Sequence, residues 1–201
     1  MDEKLEQAIV DIVGKDNFTR NIIDLVSYSC DASEHSHRPL CAVFAETAEQ
    51  IAQIMKIANK DNINIIPRGA GTNICGSSVA REGGVVMAFH RMNKILEIHK
   101  ESMCAVVQPG VINGDLQKEV AQYDLMYPPD PASMFVSTIG GNVSLNAGGP
   151  RGVKYGVTRD YLLGLEVVLP SGEIIKTGGK TLKNVSGYDL TRLLCGSEGT
   201  L

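Results

Sequence analysis

No apolar run in this sequence approaches the roughly 18 residues that a membrane-spanning helix needs. The first ten residues, MDEKLEQAIV, are acidic and amphipathic, which is not the pattern of a secretory signal. Apolar residues make up 43% of the chain and charged residues 21%, as in ordinary globular proteins. We therefore expect a cytoplasmic protein, and its 201 residues suffice for one domain or two small ones.

An excess of basic residues is also absent, because the formal net charge is −4. Proteins that bind nucleic acid usually carry a basic face, so the charge argues against a nucleic-acid partner. Main-chain amides can still bind a single anion without any basic surface.

The cysteines include no C-x-x-C pair, and their number, five, is odd. This pattern predicts reduced, mostly buried thiols rather than disulfides or an iron–sulfur site. Residues 30–41, CDASEHSHRPLC, contain two cysteines and two histidines, groups that can bind zinc. Because Cys41 begins an apolar strand, and His35 and His37 would face opposite ways in an extended chain, we interpret the segment as a polar loop and predict no metal site.

Glycine is nearly missing from the first third of the chain. Only Gly14 precedes Gly69, and the other 20 of the 21 glycines lie from there onward. This distribution indicates a conventional first part followed by many turns that expose the backbone.

Apolar periodicity predicts the elements of the first part. We expect a helix over residues 2–13, a strand over 41–45, a helix that Thr47 caps and a strand over 63–67. Thr47 and Gln50 fit a capping box. The order strand, helix, strand predicts a right-handed parallel unit.

The later segments show a different pattern. Short apolar runs separated by turns predict antiparallel strands at 83–89, 94–99 and 104–110, then a helix at 113–123 and a hairpin at 162–179 with PSGE as its turn. The prolines of YPPDPAS, residues 127–133, forbid regular structure. A last helix at 188–196 should turn Leu190, Leu193 and Leu194 inward. The fold class is α+β.

The segment PRGAGTN, residues 67–73, leaves the predicted strand through two glycines. Glycines allow consecutive N–H groups to converge on an anion, and Arg68, Thr72, Asn73, Ser77 and Ser78 add donors. The segment matches neither the Walker loop nor the Rossmann turn. The residues by themselves fit either a phosphate-binding loop or a flexible surface loop.

A second cluster of small residues, STIGGNVSLNAGG at 137–149, lies at a predicted helix start. A helix amino terminus favours anions or hydrogen-bond acceptors, and the alternative is a cap followed by a glycine-rich bend. The two clusters, together with the rigid YPPDP, suit a long ligand such as a dinucleotide. Patterns for a nucleophilic serine are incomplete, since Cys195 replaces a required glycine and no histidine follows His99.

Four segments, in this order and spacing, resemble the FAD-binding part of the vanillyl-alcohol oxidase/p-cresol methylhydroxylase superfamily, and most of all glycolate oxidase flavin subunits and FAD-linked D-lactate dehydrogenases. They are IIPRGAGTN (65–73), YPPDPAS (127–133), residues 137–173 and LKNVSGYDLTRLLCGSEGTL (182–201). The resemblance implies an α+β fold of two subdomains, the second an antiparallel sheet, with FAD in the groove between them.

The resemblance also implies which residues bind FAD. The pyrophosphate would be held by Pro67, Arg68, Gly69, Ala70, Gly71, Thr72 and Asn73, with Gly76 and Ser77 closing the loop. The ribityl chain and flavin would be lined by Pro129, Ser137, Thr138, Gly140, Gly141 and Asn142, and the site shaped by Gly148, Gly156 and Glu198. The first glycine loop contains no histidine, the residue through which covalent relatives attach flavin, so non-covalent FAD is expected.

In terms of domains, the resemblance implies a helix and connecting segment at 1–36 and an FAD-binding domain at 37–201, with subdomains at about 37–100 and 101–201. Members of the family continue well beyond the segment that ends at Leu201, and their catalytic residues lie there. We therefore expect a truncated chain that carries no catalytic residue and is inactive alone.

The function that the resemblance implies is oxidation of a 2-hydroxy acid, glycolate or D-lactate, with hydride transfer to flavin N5. Electrons would pass to a separate acceptor, such as an iron–sulfur partner or an electron-transfer flavoprotein, which could hold the protein at the inner membrane face. Two alternatives remain: the FAD domain of another oxidoreductase of the superfamily, or a non-catalytic module that binds a nucleotide or a metal.

Overall fold

The structure is a computed structural model that describes residues 3–201. The chain forms two compact units. The first consists of the described residues up to Met92 together with Val168–Ile175, and the second of Asn93–Val167 together with Lys176–Leu201.

The elements agree with the predicted α+β class. The helices are α1 (Glu3–Val13), α2 (Ile22–Ser27), α3 (Ala48–Asp61), α4 (Asn113–Ala121), α5 (Ile139–Leu145), α6 (Gly152–Tyr155) and α7 (Leu190–Leu194), with short 3-10 turns at Lys15–Asn17 and Thr158–Tyr161. The strands are β1 (Phe18–Thr19), β2 (Cys41–Phe44), β3 (Ile65–Arg68), β4 (Val85–Ala88), β5 (Ile95–His99), β6 (Cys104–Val107), β7 (Gly164–Val168) and β8 (Ile174–Gly178).

The first unit is built on a four-stranded sheet in the order β1-β2-β4-β3. Strands β2, β4 and β3 are parallel, and β1 is antiparallel to β2. Both faces of the sheet are covered: Val43 and Met87 belong to a core with α1 and α3, whereas Ala42 and Val86 pack on the opposite side with Leu25 of α2. Burial on both faces explains why these parallel strands read as continuous apolar runs.

Helix α3 begins as its sequence predicts. The Thr47 side chain accepts a hydrogen bond from the Gln50 amide at 3.2 Å, and the helix ends at Asn62 in the left-handed conformation (φ 54°). The predicted capping box is wrong in one detail. The Gln50 side chain accepts from the amide of Glu46, one residue before the cap, at 2.9 Å.

The prediction of an antiparallel strand at residues 83–89 is also wrong. Strand β4 is parallel and lies between β2 and β3, so these two strands do not pair with each other. The apolar run VVMA is buried at all four positions, which is the pattern of a central parallel strand.

The later part of the chain forms two antiparallel hairpins, as expected. The first lies in the second unit, whereas the turn region of the second hairpin, Val168–Ile175, belongs to the first unit. Strands β5 and β6 pair with a bulge between Ile95 and Glu97, and β7 pairs with β8. The turn between β7 and β8 is closed by the amide of Gly172, which donates to the carbonyl of Leu169 at 2.8 Å. Helix α4 and the start of α5 share a core around Leu116.

The inward orientation predicted for the leucines of the last helix is wrong at two positions. Leu193 is 62% exposed and Leu190 43%, whereas Thr191 and Cys195 are buried. The hydroxyls of Thr191 and Thr177 form a hydrogen bond of 2.8 Å. This pair of threonines, not the leucines, determines which face of the helix is buried.

The cysteines within residues 3–201 form no disulfides, but the expectation that most are buried is wrong. Cys41 and Cys195 are buried, Cys104 is half-buried, and Cys30 and Cys75 are exposed. Burial raises the pKa of Cys41 to about 12, which keeps this thiol protonated at neutral pH.

Within residues 3–201, none of the helices combines the length and hydropathy required to cross a membrane.

The core of the first unit should depend on Ile54, which is 1% exposed. We expect Ile54→Ala to lower the free energy of unfolding by about 2–5 kcal/mol, because it removes buried methyl groups and leaves a cavity. Ile23→Ala is the matched control, since Ile23 is 79% exposed and should change stability by less than about 0.5 kcal/mol. Urea unfolding measures both, and equal effects would contradict this account of the core.

Candidate functional site

The first predicted loop leaves the carboxyl end of the parallel strand β3. Pro67 and Arg68 are the last two residues of that strand, and residues 69–76 form no regular structure. In α/β sheets, ligands bind beyond the carboxyl ends of parallel strands. Ala70 is exposed, whereas Gly69, Gly71 and Thr72 are half-buried.

Arg68 points beneath this loop, not away from it. Its side chain is 7% exposed, and it donates to the carbonyl oxygens of Ser78 at 3.3 Å and Ser27 at 3.4 Å. Its guanidinium also lies 5.7 Å from the ring centre of Tyr28. Burial lowers the pKa of Arg68, but a guanidinium remains charged at neutral pH. The charge of Arg68 is therefore used to fix the loop from below.

Residue 71 must be a glycine because the Arg68 side chain packs directly against it. Its φ is +69°, and a Cβ there would lie 2.4 Å from Nη2 of Arg68. Both the conformation and the space exclude a side chain. Gly76, at φ +77°, is similarly constrained by the ring of His35.

Asn73 closes the loop through its own side chain. Its Oδ1 accepts from the amides of Cys75 at 3.2 Å and Ser77 at 3.3 Å, and its Nδ2 donates to the hydroxyl of Ser78 at 2.9 Å. The predicted donors Asn73 and Ser77 are therefore engaged inside the loop. Their contacts hold the chain between Asn73 and Ser78.

Five consecutive main-chain amides of the loop remain without an acceptor. Throughout residues 3–201, no oxygen accepts a hydrogen bond from the N–H groups of Gly69, Ala70, Gly71, Thr72 or Asn73. Such runs of unpaired amides form anion-binding surfaces. This is the most informative feature of the loop.

The second cluster does begin a helix, but it differs from the prediction. Helix α5 has only seven residues, and the amides of Ile139, Gly140, Gly141 and Asn142 all donate within the chain. Gly140 donates to the carbonyl of Pro109 at 2.8 Å, and Gly141 to the hydroxyl of Thr138 at 3.2 Å. These paired amides favour the cap over an anion site, the two interpretations that the sequence left open for this helix start.

The start of α5 and the residues just before it offer a pair of buried polar groups. Oγ of Ser137 and Nδ2 of Asn142 have no hydrogen-bond partner in the described chain, and each residue is 3% exposed. Buried polar atoms without partners cost stability, so they indicate a group that the chain alone does not supply. Gly140 is needed for packing, because a Cβ there would lie 2.6 Å from Cβ of Pro109.

Pro129 is buried, and helix α4 fixes its carbonyl. Nε2 of Gln117 donates to that carbonyl oxygen at 3.0 Å, and Nδ2 of Asn113 at 3.4 Å. Asn113 is fully buried. Sequence reasoning missed both side chains, since an Asn and a Gln four residues apart on a helix are common on surfaces.

The remaining predicted residues have mainly structural contacts. A Cβ at Gly148 would lie 3.0 Å from Val157, and Gly156, at φ +89°, has no room for one beside Asp160. Glu198 is exposed at φ 55°, and its amide donates to the carbonyl of Ser144 at 2.8 Å. Nearby, burial raises the pKa of Tyr127 to about 12.

The segment interpreted as a polar loop shows no metal arrangement. In the part of the chain that the structure describes, no three His, Cys, Asp or Glu side chains are grouped so that they could hold a metal ion. Instead, Asp31 accepts hydrogen bonds from Ser33 and Ser78. Burial alone would raise the pKa of Asp31, but these hydrogen bonds hold it below its usual value.

Residues 39–178 match a family model described as an FAD binding domain. The chain belongs to this family. Much of both compact units, including the first loop and the whole second cluster, falls inside the matched range.

Curated relatives of this FAD-binding domain include an oxidase subunit and a dehydrogenase. It is 48% identical to the glycolate oxidase subunit GlcD of Bacillus subtilis, over 98% of this chain and 42% of that protein. It is 46% identical to a D-lactate dehydrogenase of Anaerostipes hadrus, over 82% of this chain and 34% of that protein. The chain thus spans about two fifths or less of these relatives.

Solved structures show the same fold. The FAD-binding domain superposes on p-cresol methylhydroxylase with a TM-score of 0.75 and 30% identity, over 94% of this chain and 37% of that one. An alkyldihydroxyacetonephosphate synthase gives a TM-score of 0.86 at 23% identity, over 100% of this chain and 37% of that one. The expected p-cresol methylhydroxylase-type fold is confirmed.

Two observations test whether the residues fit FAD. The five unpaired amides after β3 suit a diphosphate, and the unpartnered Ser137 and Asn142 suit polar groups of a ligand. The residues therefore fit the cofactor of the family.

The packing of Arg68 under Gly71 is open to a direct test. We expect Gly71→Ala to destabilise the protein by about 1–3 kcal/mol more than Gly83→Ala, because the new Cβ displaces a buried, hydrogen-bonded guanidinium. Gly83 is the matched control: its φ is +74°, but a Cβ there would meet nothing within 4 Å. Thermal unfolding measures the difference, and equal losses would show that only the backbone conformation matters.

Proposed function

We propose that the loop of residues 69–73 binds the pyrophosphate of FAD through its main-chain amides. The observation that carries this proposal is the run of five consecutive N–H groups without an acceptor. An anion accepts hydrogen bonds from several amides at once, and each such charge-assisted bond is worth about 1.5–3 kcal/mol. No side-chain cation is needed, which agrees with the net charge of −4.

The buried Arg68 supports the same proposal. Its side chain reaches away from solvent, so its role is to fix the end of β3 and the carbonyls around it. The loop keeps its conformation before any ligand arrives. A preformed set of donors binds an anion with less loss of entropy than a mobile loop.

We further propose that the second cluster binds the neutral part of the cofactor, the ribityl chain and flavin. The amides at the start of α5 are already paired, which disfavours a phosphate there. The unpartnered hydroxyl of Ser137 and amide of Asn142 suit hydroxyl or carbonyl groups instead. Thr138, Gly140, Gly141 and Pro129 would line the same part of the cofactor, and Gly148, Gly156 and Glu198 would shape the surrounding turns.

For the longer protein that contains this domain, we propose oxidation of a small 2-hydroxy acid. Its likeness to the GlcD subunit of glycolate oxidase and to D-lactate dehydrogenase supports this substrate class. Non-covalently bound FAD would supply the acceptor, at flavin N5, for hydride from the carbinol carbon. Because that relative is named as a subunit, we also propose a partner, an iron–sulfur protein or an electron-transfer flavoprotein, that takes up the electrons.

Binding of FAD and of riboflavin separates the phosphate loop from the rest of the site. Riboflavin has the same ring and ribityl chain but no phosphate, so we expect it to bind at least about tenfold more weakly than FAD. Flavin fluorescence measures both affinities, and release of the flavin by acid precipitation shows that it is not covalently attached.

Hydrogen exchange locates the contact. FAD should slow exchange at the amides of residues 69–73 and leave those of Cys75 and Ser77 unchanged, since Asn73 already bonds the latter two. If FAD protects none of residues 69–73, or if riboflavin binds as tightly as FAD, the proposed function is wrong.

Ser137→Ala should separate stability from binding. The substitution removes a buried hydroxyl that has no partner, so we expect the free protein to be as stable as before or more stable by up to about 1 kcal/mol. FAD affinity should nevertheless fall several-fold. Ser144→Ala on α5 is the control, because its side chain makes no hydrogen bond in the described structure. Unchanged FAD affinity in Ser137→Ala would exclude Ser137 from the site.

A further inference from the structure

Residues 30–37, which we call the strap, contact the loop at three points. The amide of Ala32 donates to the carbonyl of Asn73 at 3.0 Å, and the hydroxyl of Ser78 donates to Oδ2 of Asp31 at 3.2 Å. The ring of His35 lies against Gly76, where a Cβ would come within 2.7 Å of its Cδ2. The strap and the loop belong to the same compact unit.

The strap is itself fixed by short-range hydrogen bonds. Oδ1 of Asp31 accepts from the amide of Ser33 at 2.9 Å and from its hydroxyl at 2.5 Å. The amide of His37 donates to the carbonyl of Ser29 at 2.8 Å. One carboxylate oxygen of Asp31 therefore closes the strap, and the other reaches the loop.

The hydrogen bond between Asp31 and Ser78 sets the direction of the bonds beyond it. An ionised carboxylate only accepts, so Ser78 must give its single hydroxyl proton to Asp31. Both lone pairs of that hydroxyl are then available to Nδ2 of Asn73 at 2.9 Å and Nη1 of Arg68 at 3.5 Å. These are the two side chains that hold the loop closed and fixed from below.

We propose that Asp31 is a positioning residue for the cofactor loop: through Ser78 it orients Arg68 and Asn73, which leaves the amides of residues 69–73 unpaired and ordered for the pyrophosphate. This inference rests on the proposed function. Asp31 acts through Ser78 and does not contact the cofactor.

The negative charge of Asp31 allows positioning to be distinguished from a simple effect of charge. A carboxylate close to a diphosphate repels it, so on charge alone Asp31→Ala should tighten the binding of FAD. Positioning predicts the opposite, a weakening of about tenfold, because the loop loses its orientation. Glu34→Ala is the matched control: Glu34 is an exposed carboxylate of the strap with no hydrogen bond in the described structure, and its removal should leave affinity unchanged or slightly higher.

A double-mutant cycle tests whether Asp31 acts on the loop through Ser78. Ser78→Ala should weaken FAD binding as Asp31→Ala does, and the double variant should bind no more weakly than either single variant, because both remove the same link. Independent structural damage would give additive losses instead. Thermal unfolding of each variant without FAD shows whether the fold is kept.

Hydrogen exchange of the FAD-free protein provides a test that needs no cofactor. Asp31→Ala should speed exchange of the Ala32 and Ser77 amides, which bond to Asn73, by at least about fivefold, while Glu34→Ala should not. If exchange stays unchanged in Asp31→Ala, the inference is overturned whether or not FAD binds. If the loop loosens but the wild type shows no protection of residues 69–73 by FAD, the positioning of the loop stands and the proposed function fails. Tighter FAD binding in Asp31→Ala would also overturn the inference that Asp31 positions the loop.

Discussion

The buried guanidinium of Arg68 is the contact on which the loop after β3 depends. A charge that is removed from water must be matched by acceptors, and here the carbonyls of Ser78 and Ser27 provide them. These bonds join the end of a strand, the far end of the loop and the end of α2. Because its base is fixed in this way, the loop keeps a conformation in which the amides of residues 69–73 stay unpaired.

Elements with a local signal were predictable from sequence. The threonine cap of α3, the β5–β6 and β7–β8 hairpins and the irregular proline segment all appear where the pattern places them. In each case the determining interactions lie within a few residues: a cap bonds an amide three positions on, and a tight turn fixes the pairing of its two strands. Local patterns left the segment 67–73 open between a phosphate-binding loop and a surface loop. The resemblance to the family's sequence motifs identified FAD as the expected cofactor.

The features that could not be predicted from the sequence depend on contacts between residues far apart in the chain. The partner of Asp31 lies 47 residues further along the chain, and no spacing rule joins the two. Arg68 looked like a ligand of the phosphate because a charge beside glycines usually is one, whereas its burial depends on α2. Gly140 was predicted as a site residue from its motif alone, whereas its packing against Pro109, 31 positions earlier, could not be predicted. The buried face of α7 follows a threonine pair rather than its leucines, because the partner Thr177 lies on another element.

The strand order of the first sheet has a consequence for the nascent polypeptide. Strand β4 occupies the centre of the sheet, between β2 and β3, although it follows both in the chain. As the ribosome elongates the protein, β2, α3 and β3 emerge with facing edges that have no strand to pair with. The sheet can be completed only after Ala88 has left the exit tunnel, so its assembly has to wait for the synthesis of β4.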